Sequence, residues 1–104
     1  MLSTNKDLLD GANDGNIERV KTALINNADV NAVSEEGWTA LMLASSKGHI
    51  DVIKFLVHKG AEINIKANNG VTALMIALYT GFGKIVKFFC CHGADVDLMT
   101  DEDD

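Results

Sequence analysis

Proline is absent from the 104 residues, and arginine occurs once, at Arg19. Bidentate recognition of phosphate therefore has almost no material. The formal charge is −6. Affinity for nucleic acid or an anionic membrane comes from Lys and Arg neutralising phosphates, so the balance argues against both as partners. Only two cysteines are present, Cys90 and Cys91, side by side. Neighbours on a helix point in different directions, so they form no disulfide framework, which fits a reducing compartment. The start, MLSTNKDLLDG, lacks a basic stretch followed by an apolar one, so no signal peptide is read there. No apolar run approaches the ~18 residues of a membrane span. The expected setting is soluble and cytoplasmic. Aromatics are scarce at 6%, yet apolar residues reach 47%, enough for a core and too many for a disordered chain. The length suits one domain. Such a domain buries only about 60–70% of its unfolded surface, so its stability margin is thin.

What is present is a repeat. Residues 37–64 read GWTALMLASSKGHIDVIKFLVHKGAEIN, and residues 70–97 read GVTALMIALYTGFGKIVKFFCCHGADVD. Gly37/Gly70, Thr39/Thr72, Ala40/Ala73, Leu41/Leu74, Met42/Met75, Ala44/Ala77, Gly48/Gly81, Lys54/Lys87, Phe55/Phe88 and Gly60/Gly93 all lie 33 apart. A weaker copy precedes them at Leu8, Gly15, Ile17, Val20, Lys21, Ala28, Val30 and Asn31. In each unit a threonine, Thr39 or Thr72, suits a helix N-cap, because its oxygen can accept an unpaired first-turn N–H. The pattern predicts a first helix over about 40–47 and 73–80, closed by Gly48 or Gly81 in the left-handed conformation. A second helix is predicted over about 51–58 and 84–91, with Val52, Ile53 and Leu56 at helical spacing.

This pattern resembles the ankyrin repeat, whose period is 33 and whose unit is a β-turn plus two helices. TALM stands where that family usually has TPLH. The resemblance implies an all-α solenoid of antiparallel helix pairs joined by turn or hairpin fingers. It divides the single domain into units of about 4–36, 37–69 and 70–102, followed by an acidic end. It also implies a concave surface of fingers and first helices that binds another protein.

Departures from the pattern are informative. Ala40 and Ala73 replace the usual proline, and alanine keeps the helix. The first unit has Lys6 where the capping threonine belongs, Asp7 at the next position, and Gly11 in the column of Ala44 and Ala77. Its helix, near KDLLDGAND, is polar on much of its surface, as an N-terminal cap with one side in water requires. The last unit is the most apolar, through Tyr79, Phe82, Phe88, Phe89, Cys90 and Cys91. Gly83, in the column of Ile17 and Ile50, should loosen the entry to its second helix. The chain stops at the DEDD run, where a fourth unit would begin. It is either a small protein with an imperfect last cap or a piece whose apolar end meets another repeat, a second copy or a partner.

No catalytic constellation emerges. His49 shares its column with Asn16 and Phe82, so no recurring role is read there. His58 and Cys91 are equivalent positions on neighbouring repeats, roughly 8–10 Å apart, and two zinc ligands must each come within about 2.3 Å of one metal. No metal site and no cofactor is called for. One thiol of the Cys90–Cys91 pair is expected in the core and the other at the surface. Asp29, Glu62 and Asp95 form a column of solvated loop carboxylates. Lys21, Lys54 and Lys87 form another, with Glu18 and Asp51 placed for i,i+3 ion pairs on a solvated convex face. No phosphate loop, HExxH or GxSxG is present, so the chain is not read as an enzyme.

The resemblance assigns binding to finger tips and to the exposed side of the first helices. Here these are Val33, Glu35, Glu36 and Trp38, then Lys66, Asn68, Asn69 and Val71. On the helices they are Asn13 and Asp14, Ser46 and Lys47, and Tyr79 and Thr80. Trp38 and Tyr79 are the favoured anchors, because hot spots favour Trp, Tyr and Arg. The rival role is structural or self-associating, through Phe88, Phe89 and the cysteine pair of the last unit. A minor feature is LVHKGAEIN, which resembles segments modified by asparaginyl hydroxylases, with Asn64 as the acceptor.

Overall fold

The computed structural model describes residues 3–95. The acidic run at 101–104 and the end of the third unit lie outside the described residues. Among the described residues six helices follow one another: α1 (Ser3–Asp14), α2 (Ile17–Ile25), α3 (Ala40–Lys47), α4 (Ile50–His58), α5 (Ala73–Thr80) and α6 (Gly83–Cys91). They form three pairs. The first helices, α1, α3 and α5, lie side by side as one layer, and α2, α4 and α6 form a second, less closely packed layer. Closer approach of the first helices is what a stack bent toward them requires.

The capping chemistry sets the helix ends. The Thr39 hydroxyl accepts from the Met42 N–H at 3.2 Å, and that of Thr72 from the Met75 N–H at 3.3 Å. Gly48 and Gly81 end α3 and α5 with φ of +77° and +83°. Expected and observed first helices therefore coincide in the second and third units. In the first unit the helix starts earlier than KDLLDGAND suggests, at Ser3.

Small residues let the layers approach. Ala40, Ala44, Ala73 and Ala77 are buried between first helices. At Gly11, a Cβ would lie 3.1 Å from Val20 Cγ2, so α1 sits directly on α2. Large apolar groups fill the seam between layers: Leu8, Val20, Leu41, Ile53, Leu56, Ile85 and Phe89. Phe89 occupies the column of Leu56 and is fully buried.

That placement corrects the reading of the last unit. Ile85 and Phe89 are four apart and share the core face of α6. Cys90 and Cys91 follow at about 100° per residue around the helix, which turns both away. Both thiols are exposed, so neither fills the core, and Phe89 cannot serve as an outer contact. Gly83 is the first residue of α6, and the helix forms from it.

The units are stitched by a side-chain relay. The Asp29 N–H donates to Asn5 Oδ1 (2.9 Å), the Glu62 N–H to Asn31 Oδ1 (2.8 Å), and the Asp95 N–H to Asn64 Oδ1 (2.7 Å). Asn64 also donates to the Gly93 carbonyl at 3.1 Å. The carboxylate column thus marks backbone amides that each take an asparagine oxygen, from within the first unit at Asp29 and from the unit before at Glu62 and Asp95.

A second recurring contact overturns the reading of His49. A Cβ at Gly15 would fall 2.7 Å from the His49 ring, and one at Gly48 would fall 2.8 Å from Phe82 Cζ. Each left-handed glycine is covered by the ring that follows the equivalent glycine of the next unit. His49 Nε2 also meets the Asn13 carbonyl at 3.1 Å. A Cβ at Gly81 would meet no described residue within 4 Å.

Candidate concave binding site

Two fingers project between the pairs. In the first, Val33 and Thr39 form an isolated antiparallel bridge, and Ser34 N–H donates to the Trp38 carbonyl at 2.9 Å. In the second, Ala67 N–H donates to the Val71 carbonyl at 2.8 Å. The fingers are tied to each other. Asn68 N–H donates to the Glu36 carbonyl, and Asn68 Nδ2 to the Glu35 carbonyl, both at 3.0 Å. Gly37 makes the approach possible, since a Cβ there would lie 2.6 Å from Asn68 Oδ1. Asn69 Oδ1 accepts from the Val71 N–H at 3.2 Å. Asn68 and Asn69 are exposed, but their amide groups already hold the fingers in place.

Below the fingers, Trp38, Ser46, Val71, Met75, Ile76, Tyr79 and Thr80 line one hollow of about 530 Å³. Five of the sequence-derived candidates meet here. The two hydroxyls do not make it polar. Ser46 Oγ donates to the Leu43 carbonyl at 2.9 Å, and Thr80 Oγ1 to the Ile76 carbonyl at 2.9 Å. Turned onto their own helices, they leave methyl and methylene groups toward the hollow. Trp38 is half-buried against the core, whereas Tyr79 is 92% exposed.

Beside this hollow, Glu35, Glu36, Trp38, Asn68 and Asn69 line a shallower one. Trp38 joins the two, with carboxylates on its finger side. Lys47 and Lys66 are exposed but line neither. Upstream, the matching space between α1 and α3 is walled by Lys6, Leu9, Asp10, Asn13, Val33 and Glu35. There Asp10 and Asn13 stand in the columns of Ile76 and Tyr79. The concave face is therefore polar at its N-terminal end and apolar at its C-terminal end. Met75 and Ile76 were not singled out from the sequence. Met75 was read only as a recurring position of the TALM motif and Ile76 was not read at all, and only the geometry shows them bordering the hollow.

Ion pairs among the described residues cluster on the first unit. Arg19 donates to Asp7 Oδ1 at 3.0 Å and lies 3.6 Å from Asp10 Oδ2, and Lys6 meets Asp10 at 3.0 Å. The Asp7 hydrogen bond first, with the charges of Asp7, Asp10 and Asp14, raises the pKa of Arg19 above that of free arginine. The expected pairs Glu18–Lys21 and Asp51–Lys54 are not formed. The Lys21 ammonium instead stands 5.5 Å from the centre of the Phe55 ring. His58 and Cys91 are both exposed, and no group of three or more possible metal ligands comes together among the described residues.

Paired helices, left-handed glycine ends, projecting fingers and a stitched single stack define the class as a helical repeat solenoid. The chain belongs to the ankyrin-repeat family: the family profile for ankyrin repeats (3 copies) matches residues 8–100. Ankyrin repeats are generally protein–protein interaction modules, and the family is typically non-catalytic. Comparison with curated proteins gives no match. No described helix is long and apolar enough to cross a membrane.

Proposed function

We propose that the chain is a non-catalytic binding module of three units in one domain, and that it holds a partner protein on its concave face. A large apolar side chain of the partner enters the hollow between Trp38 and Tyr79. The observation that carries this reading is the meeting of Trp38, Ser46, Val71, Tyr79 and Thr80 around one apolar space of about 530 Å³. A space of that size lies within the range of ordinary ligand clefts. Glu35 and Glu36 on the finger favour Lys or Arg beside the anchor. Asn68 and Asn69 position the fingers, and Lys47 and Lys66 form the outer rim. Two exposed thiols fit a cytoplasmic setting.

Affinity capture from the native cell, read by mass spectrometry, tests the reading. Trp38→Ala with Tyr79→Ala is expected to release the captured partner, with a loss of about 30-fold or more for a hot-spot pair. Tyr79→Ala alone removes an exposed side chain and guards against misfolding. Unchanged capture by both variants would place the partner elsewhere.

A second reading is self-association through the C-terminal end. It is favoured by Gly81, which no described residue covers, and by Leu78 and Phe82, which are 43% and 36% exposed beside it. A second copy laid against that end is expected to appear as a concentration-dependent mass in light scattering, abolished by Phe82→Asp. A constant monomer mass at millimolar concentration removes this reading.

A further inference from the structure

The second helices carry a charge pattern that the net −6 conceals. Along α2, α4, α6 and the residues that close them stand Lys21, Lys54, Lys59, Lys84 and Lys87, against Glu18 and Asp51 alone. The other thirteen of the fifteen acidic residues lie outside these segments. Arg19 also lies on α2, but Asp7 and Asp10 hold its guanidinium.

The lysines are arranged around rings. A hollow of about 370 Å³ between α2 and α4 is lined by Lys21, Leu24, Ile25, Phe55 and Lys59. Lys21 and Lys59 place their ammonium groups 5.5 and 5.6 Å from the centre of the same Phe55 ring. One repeat further on, a hollow of about 460 Å³ between α4 and α6 has Lys54, Phe88 and His92 in the matching positions, and adds Lys84 and Lys87. His92 stacks on Phe88 with ring centres 4.0 Å apart. Each hollow is a phenyl floor with basic groups on both sides. Ring faces attract cations, but two ammonium groups over one ring repel each other. An anion set between them removes that repulsion.

We propose that the convex face is a second binding surface, built for an extended acidic peptide of another protein. Successive outer helices are roughly 8–10 Å apart, and a polyproline-II chain, with three residues per turn and a rise of about 3.1 Å per residue, presents every third side chain on one face. Carboxylates three residues apart therefore reach successive hollows, with the intervening chain lying across the helices. At physiological salt, charge is screened within about 8 Å, and even the molecule's shortest extent is 20 Å. The acidic fingers on the other side do not cancel the lysine field locally. A long polyanion such as RNA runs past the three helices and, with Arg19 held by Asp7 and Asp10, finds no free arginine for bidentate contact. A short acidic segment fits the face; a nucleic acid does not.

The test is a titration of the intact chain with a fluorescent peptide carrying Asp or Glu at every third position. Its amide counterpart, a single-stranded RNA and anionic vesicles serve as comparisons. The acidic peptide is expected to bind, and its amide counterpart to bind about tenfold more weakly or worse. Lys21→Gln, Lys54→Gln, Lys59→Gln and Lys87→Gln together are expected to weaken binding by a similar factor. The milder pair Lys54→Gln and Lys87→Gln, both at exposed positions, moves it in the same direction. Lys47→Gln with Lys66→Gln, and separately Tyr79→Ala, leave it unchanged, which separates this surface from the concave one. The proposal is overturned by any of three results: no binding of the acidic peptide, equal binding by the folded lysine variants or the amide counterpart, or tighter binding of RNA or vesicles.

Discussion

Gly48→Ala is expected to destabilise the chain by about 2–5 kcal/mol, and Gly81→Ala by only about 1–2 kcal/mol. Both residues have positive φ, so both substitutions carry the left-handed cost of about 1–2 kcal/mol. Only at Gly48 does the new methyl also meet a ring, 2.8 Å from Phe82 Cζ. Forcing extra atoms into a packed contact costs about 1–3 kcal/mol more. A domain this size has about 5–15 kcal/mol in total, so the difference between the two variants is large on that scale. Urea unfolding of the two proteins reads it directly. Equal losses would mean that Phe82 moves aside freely and that the ring-on-glycine contact does not tie the units. Phe82→Ala in the Gly48→Ala background should recover the steric part.

Phe89→Ala is expected to cost about 3–5 kcal/mol, the range for emptying a buried phenylalanine site. Phe89 is fully buried at the seam between α5 and α6, and there is no further described unit to share the loss. In a stack where each unit touches only its neighbours, damage stays near its origin. Hydrogen exchange should therefore rise first in α5 and α6, while α1 to α4 keep their protection at low denaturant. Cys90→Ser and Cys91→Ser, on exposed positions of the same helix, should stay within about 0.5 kcal/mol of the parent. A uniform loss of protection along the chain would contradict the local picture, and a large cysteine effect would contradict the orientation of α6.

The regular helices were readable because their signals are local. A threonine that caps and a glycine that turns left act on their own neighbours, so their recurrence at 33 placed α3 and α5 without any tertiary information. The start of α1 was not readable, since Lys6 stands where the other units have a capping threonine and nothing in Ser3 to Asn5 marks a boundary in its place. His49 was missed because its role belongs to a shape. The column reads Asn16, His49, Phe82, and the two rings act alike only because each has a glycine of the previous unit beneath it. The concave hollow was half legible: residues 38, 46, 71, 79 and 80 came from repeat position, while Met75 and Ile76 needed coordinates. The lysine column was legible as exposed. Its convergence with the outer-face rings was not, because Lys21 and Phe55 are 34 residues apart in sequence and share a hollow only once the units stack.

The asparagine relay has a consequence for how such a chain can change length. Asn31 and Asn64 each supply an oxygen forward, and Glu62 and Asp95 each receive one through the backbone. The glycine at 48 and the ring at 49 likewise form a socket facing forward and a plug facing back. A tandem duplication of residues 37–69 would therefore bring both halves of every junction with it. At the new boundary, Asn64 of the first copy meets the amide of the second copy's Glu62, and Gly48 meets a histidine ring of the kind that already covers Gly15. Whole units can be gained or lost by inheritance of a single segment, without any compensating substitution at the seam.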